Sequence, residues 1–323
     1  MGAEHILIWG LPDDPPVAAV HDALNRIGGR VTLLDQQAVL DTQVELTVDS
    51  EVAGLLHLGR DTIRLGSITA VYLRPEDWRD LPAFAGADPS GAAWLHALSL
   101  HEILSSWADL TGALVVNRPA AMMANGSKPY QASWIKSLGF QIPGTLITTD
   151  PGCALEFWKR HEKVIYKSLS GIRSIVACLS EEHLPRWGDI SSCPTQFQEY
   201  IPGADYRVHV VGEEVFACRI LSTADDYRYS PEQVDLQACE LPSEVAARSR
   251  ALAASMGLPV AGIDLRCTPQ GDWYCFEVNP SPAFTYFQDH TGQPMAEAIA
   301  RLLASAPAGY DVGSSPASRI LVA

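Results

Sequence analysis

The sequence lacks any pairing pattern among its cysteines. The seven cysteines are an odd number, and none belongs to a C-x-x-C pair. A disulfide framework and a zinc ribbon are therefore both unexpected, because each needs regularly spaced pairs of cysteines. This cysteine content instead indicates a reducing compartment, and we expect a cytoplasmic protein.

Basic residues are scarce as well. Lysine and arginine together number 23 against 38 aspartates and glutamates, which gives a formal net charge of -15 and a sequence pI near 4.9. An acidic surface repels phosphate backbones and anionic lipids, so neither nucleic acid nor a membrane is expected as a partner. A small anion remains compatible with this charge, because it needs only a local basic pocket.

Long apolar runs and a glycine-rich fingerprint are also missing. No stretch approaches the roughly 20 apolar residues of a membrane span, and the apolar run at residues 6–9 is too short for a signal peptide. The residues after this run, Gly10-Leu11-Pro12-Asp13, do not supply the G-x-G-x-x-G of a dinucleotide-binding enzyme. Yet 47% of the residues are hydrophobic and 19% are charged, which is typical of a globular protein with a real core.

The first third of the chain has the pattern of a parallel α/β unit. Strand, helix and strand are predicted in succession, which implies a βαβ unit, at residues 5–9, 17–27 and 31–34. Gly28 and Gly29 are expected to end the helix. Further short strands are predicted at residues 46–48, 56–65, 70–73 and 115–116. One long helix is predicted at residues 94–110. We place the first boundary after this segment, which gives an N-terminal domain of residues 1–118.

The remainder predicts two smaller α/β (α+β) sub-domains, residues 119–195 and 196–305. Apolar periodicity predicts helices at residues 127–138, 155–161, 243–256 and 295–304. Short strands are predicted at residues 146–148, 164–167 and 197–200. Two hairpins are predicted, pairing residues 207–211 with 215–220 and residues 261–267 with 273–278. The tail, residues 306–323, is rich in glycine, serine and proline and is expected to be poorly ordered.

The last predicted hairpin carries a group of oxygen-bearing side chains. Glu277 and Asn279 stand two apart on one strand and so share a face, and Asp264 can lie across from them. Hard oxygen ligands of this kind are those that Mg²⁺ prefers. The alternative is that Asp264 is a solvated strand residue and that the other two shape the turn before Pro280. Three acceptors beside apolar strand residues would be costly to bury without a cation, which favours the metal.

Two lysines form a second candidate group. Lys128 opens a predicted helix, and Lys167 ends a predicted strand that is followed by residues 168–171. A lysine at the end of a strand can meet phosphate oxygens together with backbone N–H groups. Taken singly, each lysine is more often a solvated surface residue.

Several short pieces of the sequence, taken in order, resemble a known superfamily. They are Ser127-Lys128, Leu138-Gly139-Phe140-Gln141-Ile142-Pro143, the strand ending at Lys167, Gln198-Glu199-Tyr200-Ile201, Asp205-Tyr206-Arg207, Tyr227-Arg228, Gly262-Ile263-Asp264 and Glu277-Val278-Asn279-Pro280. They resemble the ATP-grasp superfamily, within it the RimK-type glutamate ligases. The segments Asn279-Pro280-Ser281-Pro282-Ala283-Phe284 and Thr291-Gly292-Gln293-Pro294 are most similar to the microviridin-type (graspetide) peptide maturases. The resemblance runs from about residue 117 to residue 303.

The resemblance implies an ATP-grasp fold with an N-terminal pre-ATP-grasp domain, and ATP bound between the other two sub-domains. It implies two Mg²⁺ ions, which Mn²⁺ could replace, on Asp264, Glu277 and Asn279. The implied ATP contacts are Lys128 and Lys167 at the phosphates, Gln198, Glu199, Tyr200 and Ile201 at the adenine, and Asp205 at the ribose. The arginines implied to face the γ-phosphate are Arg207, Arg219 and Arg228, although such arginines in an acidic protein could also form only surface ion pairs.

The resemblance also implies a reaction. A carboxylate, of a small molecule or of a ribosomal peptide, would be converted to an acyl phosphate with release of ADP, and an amine or hydroxyl would then displace phosphate. An ATP-binding sensor without catalysis is the alternative from another class. A homodimer is expected only because many members of the superfamily pair.

Two segments depart from the pattern of RimK-type ligases. Residues 168–174 hold fewer glycines than the phosphate-covering loop of those ligases, and Tyr72-Leu73-Arg74-Pro75 only partly resembles their arginine-rich strand. The acceptor is therefore left open. We expect residues 168–174 and 227–228 to act as a lid.

Overall fold

Four parallel strands form the sheet of the N-terminal third. The computed structural model describes residues 5–49, 52–123, 127–168, 177–221 and 234–306. The sheet has the order β2-β1-β6-β7, with every neighbouring pair parallel, and consists of β1 (His5–Gly10), β2 (Arg30–Asp35), β6 (Ala70–Arg74) and β7 (Leu114–Val116). The helices α1 (Pro15–Arg26) and α2 (Ala92–Leu110) pack on opposite faces of the sheet. The predicted βαβ unit and parallel sheet are confirmed.

Prolines begin helix α1, and a glycine follows its end. It starts two residues earlier than predicted, because Pro15 and Pro16 are tolerated in the first turn, where backbone N–H groups have no helical partner. Gly28 follows the helix with a φ of 75°, a left-handed conformation that glycine adopts without steric penalty. The predicted stop at this glycine is confirmed.

A separate three-stranded antiparallel meander follows β2 along the chain. It consists of β3 (Thr42–Val48), β4 (Val52–Leu58) and β5 (Asp61–Arg64), joined in chain order. Leu56 is fully buried on β4 and packs in the same core as α2. The short strands predicted in this region are confirmed.

The middle of the chain forms a four-stranded antiparallel sheet. Its order is β10-β9-β11-β8, and its strands are β8 (Thr145–Thr148), β9 (Val164–Ser168), β10 (Ala177–Cys178) and β11 (Thr195–Glu199). Helices α3 (Pro119–Met122), α4 (Lys128–Ser137) and α5 (Pro151–Arg160) belong to the same part of the chain. The predicted start of α5 at residue 155 is wrong, because the Asp150 side chain caps the helix earlier by accepting the Gly152 N–H at 2.7 Å.

The C-terminal part forms a five-stranded antiparallel sheet. Its order is β14-β13-β12-β15-β16, and its strands are β12 (Ala204–Val211), β13 (Glu214–Leu221), β14 (Asp235–Cys239), β15 (Val260–Cys267) and β16 (Trp273–Asn279). Helices α6 (Ser243–Ser255), α7 (Thr285–Thr291) and α8 (Met295–Ala304) follow. Both predicted hairpins and the predicted helix at residues 295–304 are confirmed. Pairing of β12 with β15 joins the hairpins into one sheet, and this pairing, β14 and α7 were not predicted.

One hydrophobic core connects the parallel sheet to the C-terminal part. Ile6 and Ile8 of β1 share it with Val20 of α1 and with Met295 and Ile299 of α8, and all five are fully buried. The predicted domain boundaries remain a prediction, and the packing shows that residues 5–49 and residues 234–306 contribute to the same core. Within the described part of the chain, no helix has both the length and the apolar character needed to cross a bilayer.

Candidate active site

Two carboxylates face each other across the last hairpin. Asp264 on β15 pairs with Glu277 on β16, and Gly262 pairs with Asn279 further along the same strands. Because side chains alternate between the faces of a sheet, Asn279 lies on the face that carries Glu277. The structure thus brings together the three side chains predicted from the sequence as metal ligands, although their role stays a prediction.

The donors of this group are all oxygen atoms. The Asp264 side chain is 37% exposed, and the Asn279 Oδ1 atom is held by the Ser281 N–H at 2.9 Å, which fixes the orientation of the amide and leaves its oxygen a second lone pair. Among the described residues, no group of three histidines, cysteines, aspartates or glutamates could hold a metal ion. Two carboxylates and one amide oxygen would therefore need further oxygens from a bound molecule, which is the chemistry that suits Mg²⁺.

A buried arginine lies beside the carboxylates. Arg207 on β12 pairs with Asp264, is 7% exposed, and donates from Nη1 to the Asp264 Oδ1 atom at 2.7 Å. Its Nε atom lies 3.4 Å from the Nε2 atom of His209. One face of the sheet therefore carries Arg207, Asp264 and Glu277 in a single cross-strand row, with a cation beside two carboxylates.

The second predicted arginine is not on this face. Arg219 on β13 pairs with Tyr206, the neighbour of Arg207 along β12. Because neighbouring residues of a strand project to opposite sides, Arg219 projects from the far face of the sheet, where it is exposed. This placement corrects the prediction that both arginines face one phosphate. The third predicted arginine, Arg228, lies outside the described residues.

The central sheet places Lys167 beside two buried glutamines. Lys167 on β9 pairs with Gln196 on β11, and Gln198 stands two residues further along β11 on the same face. Gln198 donates from Nε2 to the Thr145 hydroxyl at 3.1 Å. The Gln196 Oε1 atom is buried and has no hydrogen-bond partner within residues 5–49, 52–123, 127–168, 177–221 and 234–306. Lys128 is half-buried in the first turn of α4, after the capping residue Ser127.

The predicted adenine segment is already hydrogen-bonded within the protein. The Glu199 carboxylate accepts the Gly144 N–H at 3.1 Å, and the Tyr200 N–H is donated to the Lys163 carbonyl at 3.0 Å. The Ile201 carbonyl accepts from Arg266 at 2.7 Å. These bonds hold the segment in one conformation, and the Tyr200 N–H is not available to a ligand.

Asp205, predicted at the ribose, forms a two-pronged ion pair with Arg266. The Arg266 Nε and Nη2 atoms donate to the two carboxylate oxygens at 2.6 Å and 2.8 Å. The Arg266 Cζ atom lies 5.7 Å from the centroid of the Tyr200 ring and 5.3 Å from that of the Phe276 ring. Sequence reasoning missed Arg266, because it meets Asp205 only when β12 pairs with β15.

The thiols of the C-terminal sheet are held in their neutral form. Burial raises the pKa of Cys218 to about 11, and it raises the pKa of Cys275 further. Burial also raises the pKa of Cys239 and of Cys267. Because the thiolate is the nucleophilic form, this is consistent with chemistry that uses no cysteine nucleophile.

Known proteins match parts of this sequence. No family model matches the chain. Glutathione synthetase from Citrobacter rodentium is 31% identical over 171 residues, which cover 50% of this chain and 48% of that protein. A "Probable alpha-L-glutamate ligase" from Pasteurella multocida (strain Pm70) is 30% identical over 147 residues, which cover 41% of this chain and 45% of that protein. The chain therefore spans less than half the length of these curated relatives.

Solved structures match nearly the whole chain. A RiPP-associated ATP-grasp ligase from Chryseobacterium gregarium, in complex with ADP and a leader and core peptide, has a TM-score of 0.81 at 22% identity, covering 95% of this chain and 98% of that chain. The ATP-grasp ligase PsnB, complexed with minimal precursor, Mg and ADP, has a TM-score of 0.75 at 26% identity, covering 92% and 96%. Macrocyclase MdnC from Microcystis aeruginosa MRC, bound with precursor peptide MdnA, has a TM-score of 0.78 at 24% identity, covering 93% and 99%.

The chain has the ATP-grasp fold. The resemblance that the motifs indicated is thereby confirmed. Within this ATP-grasp fold, the five-stranded sheet presents the oxygen donors and Arg207, and the four-stranded sheet presents Lys167 and the two glutamines. The predicted lid falls almost entirely on residues 169–176 and 222–233, outside the described residues.

A glutamine of α4 supports the strand that carries two of the oxygen-bearing side chains. Gln131 is buried, donates from Nε2 to the Val278 carbonyl at 2.7 Å, and accepts the Val278 N–H on Oε1 at 3.0 Å. Val278 stands between Glu277 and Asn279, so this amide fixes the backbone that aims both side chains. No sequence signal marked Gln131, because its partner lies far along the chain.

Replacing Gln131 with leucine is expected to lower the free energy of unfolding by about 2–4 kcal/mol, since two buried backbone groups would lose their partner. We also expect a higher Mg²⁺ concentration for half-maximal nucleotide binding, because Glu277 and Asn279 would no longer be aimed together. Urea denaturation and Mg²⁺ titration measure the two effects. Gln237→Leu, on the exposed surface of β14, is the matched control. Equal stability of the two variants would contradict this role.

Proposed function

We propose that this chain is an ATP- and Mg²⁺-dependent ligase, which activates a carboxylate as an acyl phosphate and joins it to an amine or hydroxyl with release of ADP and phosphate. The observation that carries the proposal is the row of Arg207, Asp264 and Glu277 on one face of an ATP-grasp sheet. A carboxylate is a poor electrophile because its negative charge opposes attack. Transfer of a phosphoryl group to it removes that obstacle, but it crowds negative charge that the site must offset.

Each group of residues has a part in this reaction. Asp264, Glu277 and Asn279 would hold Mg²⁺, as two ions that Mn²⁺ could replace, and Mg²⁺ would supply positive charge that offsets the negative charge of the phosphates. Lys128 and Lys167 meet the phosphates. Arg207 supplies a fixed positive charge beside the metal ligands, and Arg228 acts at the acyl phosphate. Arg219 has no part at this phosphate, because it projects from the far face of the sheet.

The nucleotide is held by the segment that runs from β11 into β12. Gln198, Glu199, Tyr200 and Ile201 border the adenine, and Asp205 orients the ribose. The ion pair between Asp205 and Arg266 supports this arrangement, since it leaves one side of the carboxylate fixed and lets the remaining lone pairs accept ribose hydroxyls.

The substrate is a carboxylate of a ribosomal peptide, and the product is an amide or an ester within that peptide. Three solved structures that match more than nine-tenths of this chain are bound to a precursor peptide, or to a leader and core peptide. A small-molecule amino-acid ligase is the second candidate, favoured by the likeness to glutathione synthetase. A short neighbouring reading frame with repeated Thr, Lys and Asp or Glu residues would support the peptide, and its absence would favour the small molecule. A homodimer is the expected assembly, which sedimentation would test.

Thermal unfolding with and without nucleotide tests the proposed site. ATP with Mg²⁺ at a hundredfold its Kd should stabilise the fold by about 2.7 kcal/mol. The gain should require Mg²⁺ and disappear in Lys167→Ala and Glu277→Ala. Lys159→Ala, on the exposed side of α5, should retain it. ADP release on addition of a substrate separates a ligase from an ATP sensor, and absence of any gain in the wild type would refute the nucleotide site.

A further inference from the structure

Arg207 is a cation buried in the middle of a sheet, and Asp264 does not by itself account for its position. Burying a guanidinium is unfavourable unless its N–H groups are paired. The Asp264 oxygen at 2.7 Å is one such partner. In the proposed function this carboxylate also binds a metal ion, which competes with Arg207 for the same negative charge. Other contacts must therefore hold Arg207 in place when a metal ion bound to Asp264 weakens its pairing with the arginine.

A glycine provides the space for this guanidinium. Gly262 stands on β15 between His209 on β12 and Asn279 on β16. A Cβ atom at Gly262 would lie 2.2 Å from the Arg207 Nη2 atom and 2.7 Å from its Cζ atom. The Arg207 side chain thus lies across the bare backbone of Gly262, within the row that leads to Asn279.

His209 accepts a hydrogen bond from the same guanidinium. It is 1% exposed, stands two residues after Arg207 on the same face of β12, and has its Nε2 atom 3.4 Å from the Arg207 Nε atom. Arginine can only donate, so Nε2 is the acceptor and the ring proton is on Nδ1. Burial, and then the positive charge of Arg207, hold the pKa of His209 well below its usual value, which keeps the ring neutral. Among the described residues, the Nδ1 atom has no hydrogen-bond partner.

An aromatic ring closes the remaining side. The Phe287 ring of α7 lies 5.2 Å from the His209 ring and 5.7 Å from the Arg207 Cζ atom. The aromatic face attracts the cation without offering it a hydrogen bond. Arg207 thus contacts a neutral acceptor, an aromatic face and the backbone of a glycine, while its Nη1 atom donates to Asp264.

We propose that His209 is a positioning residue, which together with Gly262 and Phe287 holds Arg207 in line with the oxygen donors during phosphoryl transfer. This inference rests on the proposed function for its catalytic consequence, but the positioning itself is a property of the fold. The chemical reason is that a neutral acceptor orients the guanidinium without neutralising it. A carboxylate in the place of His209 would neutralise the positive charge that the transferred phosphoryl group requires.

Side-chain NMR tests the positioning without any assay of activity. In the wild type, the Arg207 Nε–H signal, assigned by its loss in Arg207→Lys, should exchange slowly with water because the proton is buried and donated to His209. In His209→Leu the exchange should be at least about tenfold faster. In His209→Gln, which keeps a side-chain acceptor, it should remain closer to the wild type. An unchanged exchange rate in His209→Leu would overturn the positioning.

Kinetics of ADP formation test the catalytic consequence. His209→Leu should lower kcat about ten- to hundredfold, as for other residues that orient a functional ligand. The KM for ATP should change little. The kcat of His209→Gln should lie between those of His209→Leu and the wild type. In the Arg207→Lys background, His209→Leu should have almost no further effect on kcat, since the two residues act as a unit. His5→Leu, at a buried histidine of the parallel sheet, should lower stability with kcat unchanged. Additive effects in the double variant, or an unchanged kcat in His209→Leu, would overturn the proposal.

An inactive wild type would instead refute the proposed function. The NMR measurement would then still decide whether His209 positions Arg207.

Discussion

Replacing Glu277 with glutamine is expected to reduce ATP-dependent ADP formation by about a hundredfold to a thousandfold, the range seen when one preorganised electrostatic contact is removed from an active site. Glu277 is directly opposite Asp264, and Arg207 stands on the other side of Asp264. Glutamine has nearly the same shape but lacks the charge that binds a divalent cation beside this arginine. The variant should therefore fold normally and fail to assemble the metal site.

The Mg²⁺ dependence separates this explanation from a general loss of structure. Initial rates of ADP formation, measured as Mg²⁺ is raised, should show a much higher half-saturating concentration in Glu277→Gln. Thermal unfolding without nucleotide should be close to that of the wild type. Glu240→Gln, an exposed residue just after β14, should behave as the wild type in both measurements. If Glu277→Gln kept more than about a tenth of the wild-type rate, Glu277 would not be a metal ligand.

Replacing Asn117 with alanine is expected to lower the free energy of unfolding by about 3–5 kcal/mol, since each buried polar group left unpaired costs about 1–3 kcal/mol. Asn117 is 3% exposed and follows β7 directly. Its Nδ2 atom donates to the carbonyls of Val260, at 2.6 Å, and of Pro280, and its Oδ1 atom accepts the Val260 N–H at 3.2 Å. One amide thus connects the parallel sheet to β15 and to the residue that follows Asn279.

Urea denaturation measures this loss of stability. Asn25→Ala, an exposed position in α1, is the matched control and should change the free energy of unfolding by less than about 0.5 kcal/mol. Because Pro280 adjoins Asn279, folded Asn117→Ala protein should also bind Mg²⁺ with ATP more weakly. A loss below about 1 kcal/mol would show that water replaces the amide, and the connection between the sheets would then rest on the shared hydrophobic core.

The local elements could be predicted because their signals lie within short stretches of sequence. The helix at residues 295–304 coincides with α8, since its apolar residues recur at helical spacing. The helix at 155–161 was placed too late, because the capping contact of Asp150 precedes any apolar repeat. Strand β14 and helix α7 were missed because each is short and adjoins turn residues, so that burial against the rest of the protein decides their conformation.

Part of the candidate site could likewise be predicted from local sequence, and part could not. Asp264, Glu277 and Asn279 could be placed together from the sequence, because two strands joined by a short turn pair with each other and side chains two apart on a strand share a face. The register itself could not be predicted, since the pairing shifts between Asp264 and Leu265, and only the structure shows that Asp264 lies opposite Glu277. The pairing of β12 with β15 involves residues about sixty positions apart, and no local pattern encodes it. That pairing brings Arg207 to Asp264 and Arg266 to Asp205.

The sequence by itself determined most of the helices, the two hairpins, the candidate oxygen donors and the family that their order resembles. The tertiary structure decided which face each side chain occupies and which buried polar groups become partners. Arg219 was separated from Arg207 by the register of a single pairing, and Gln131 and Asn117 acquired hydrogen-bond partners from distant segments. The physical reason is that backbone propensity and periodicity act over a few residues, whereas a buried donor finds its acceptor only after the chain has packed.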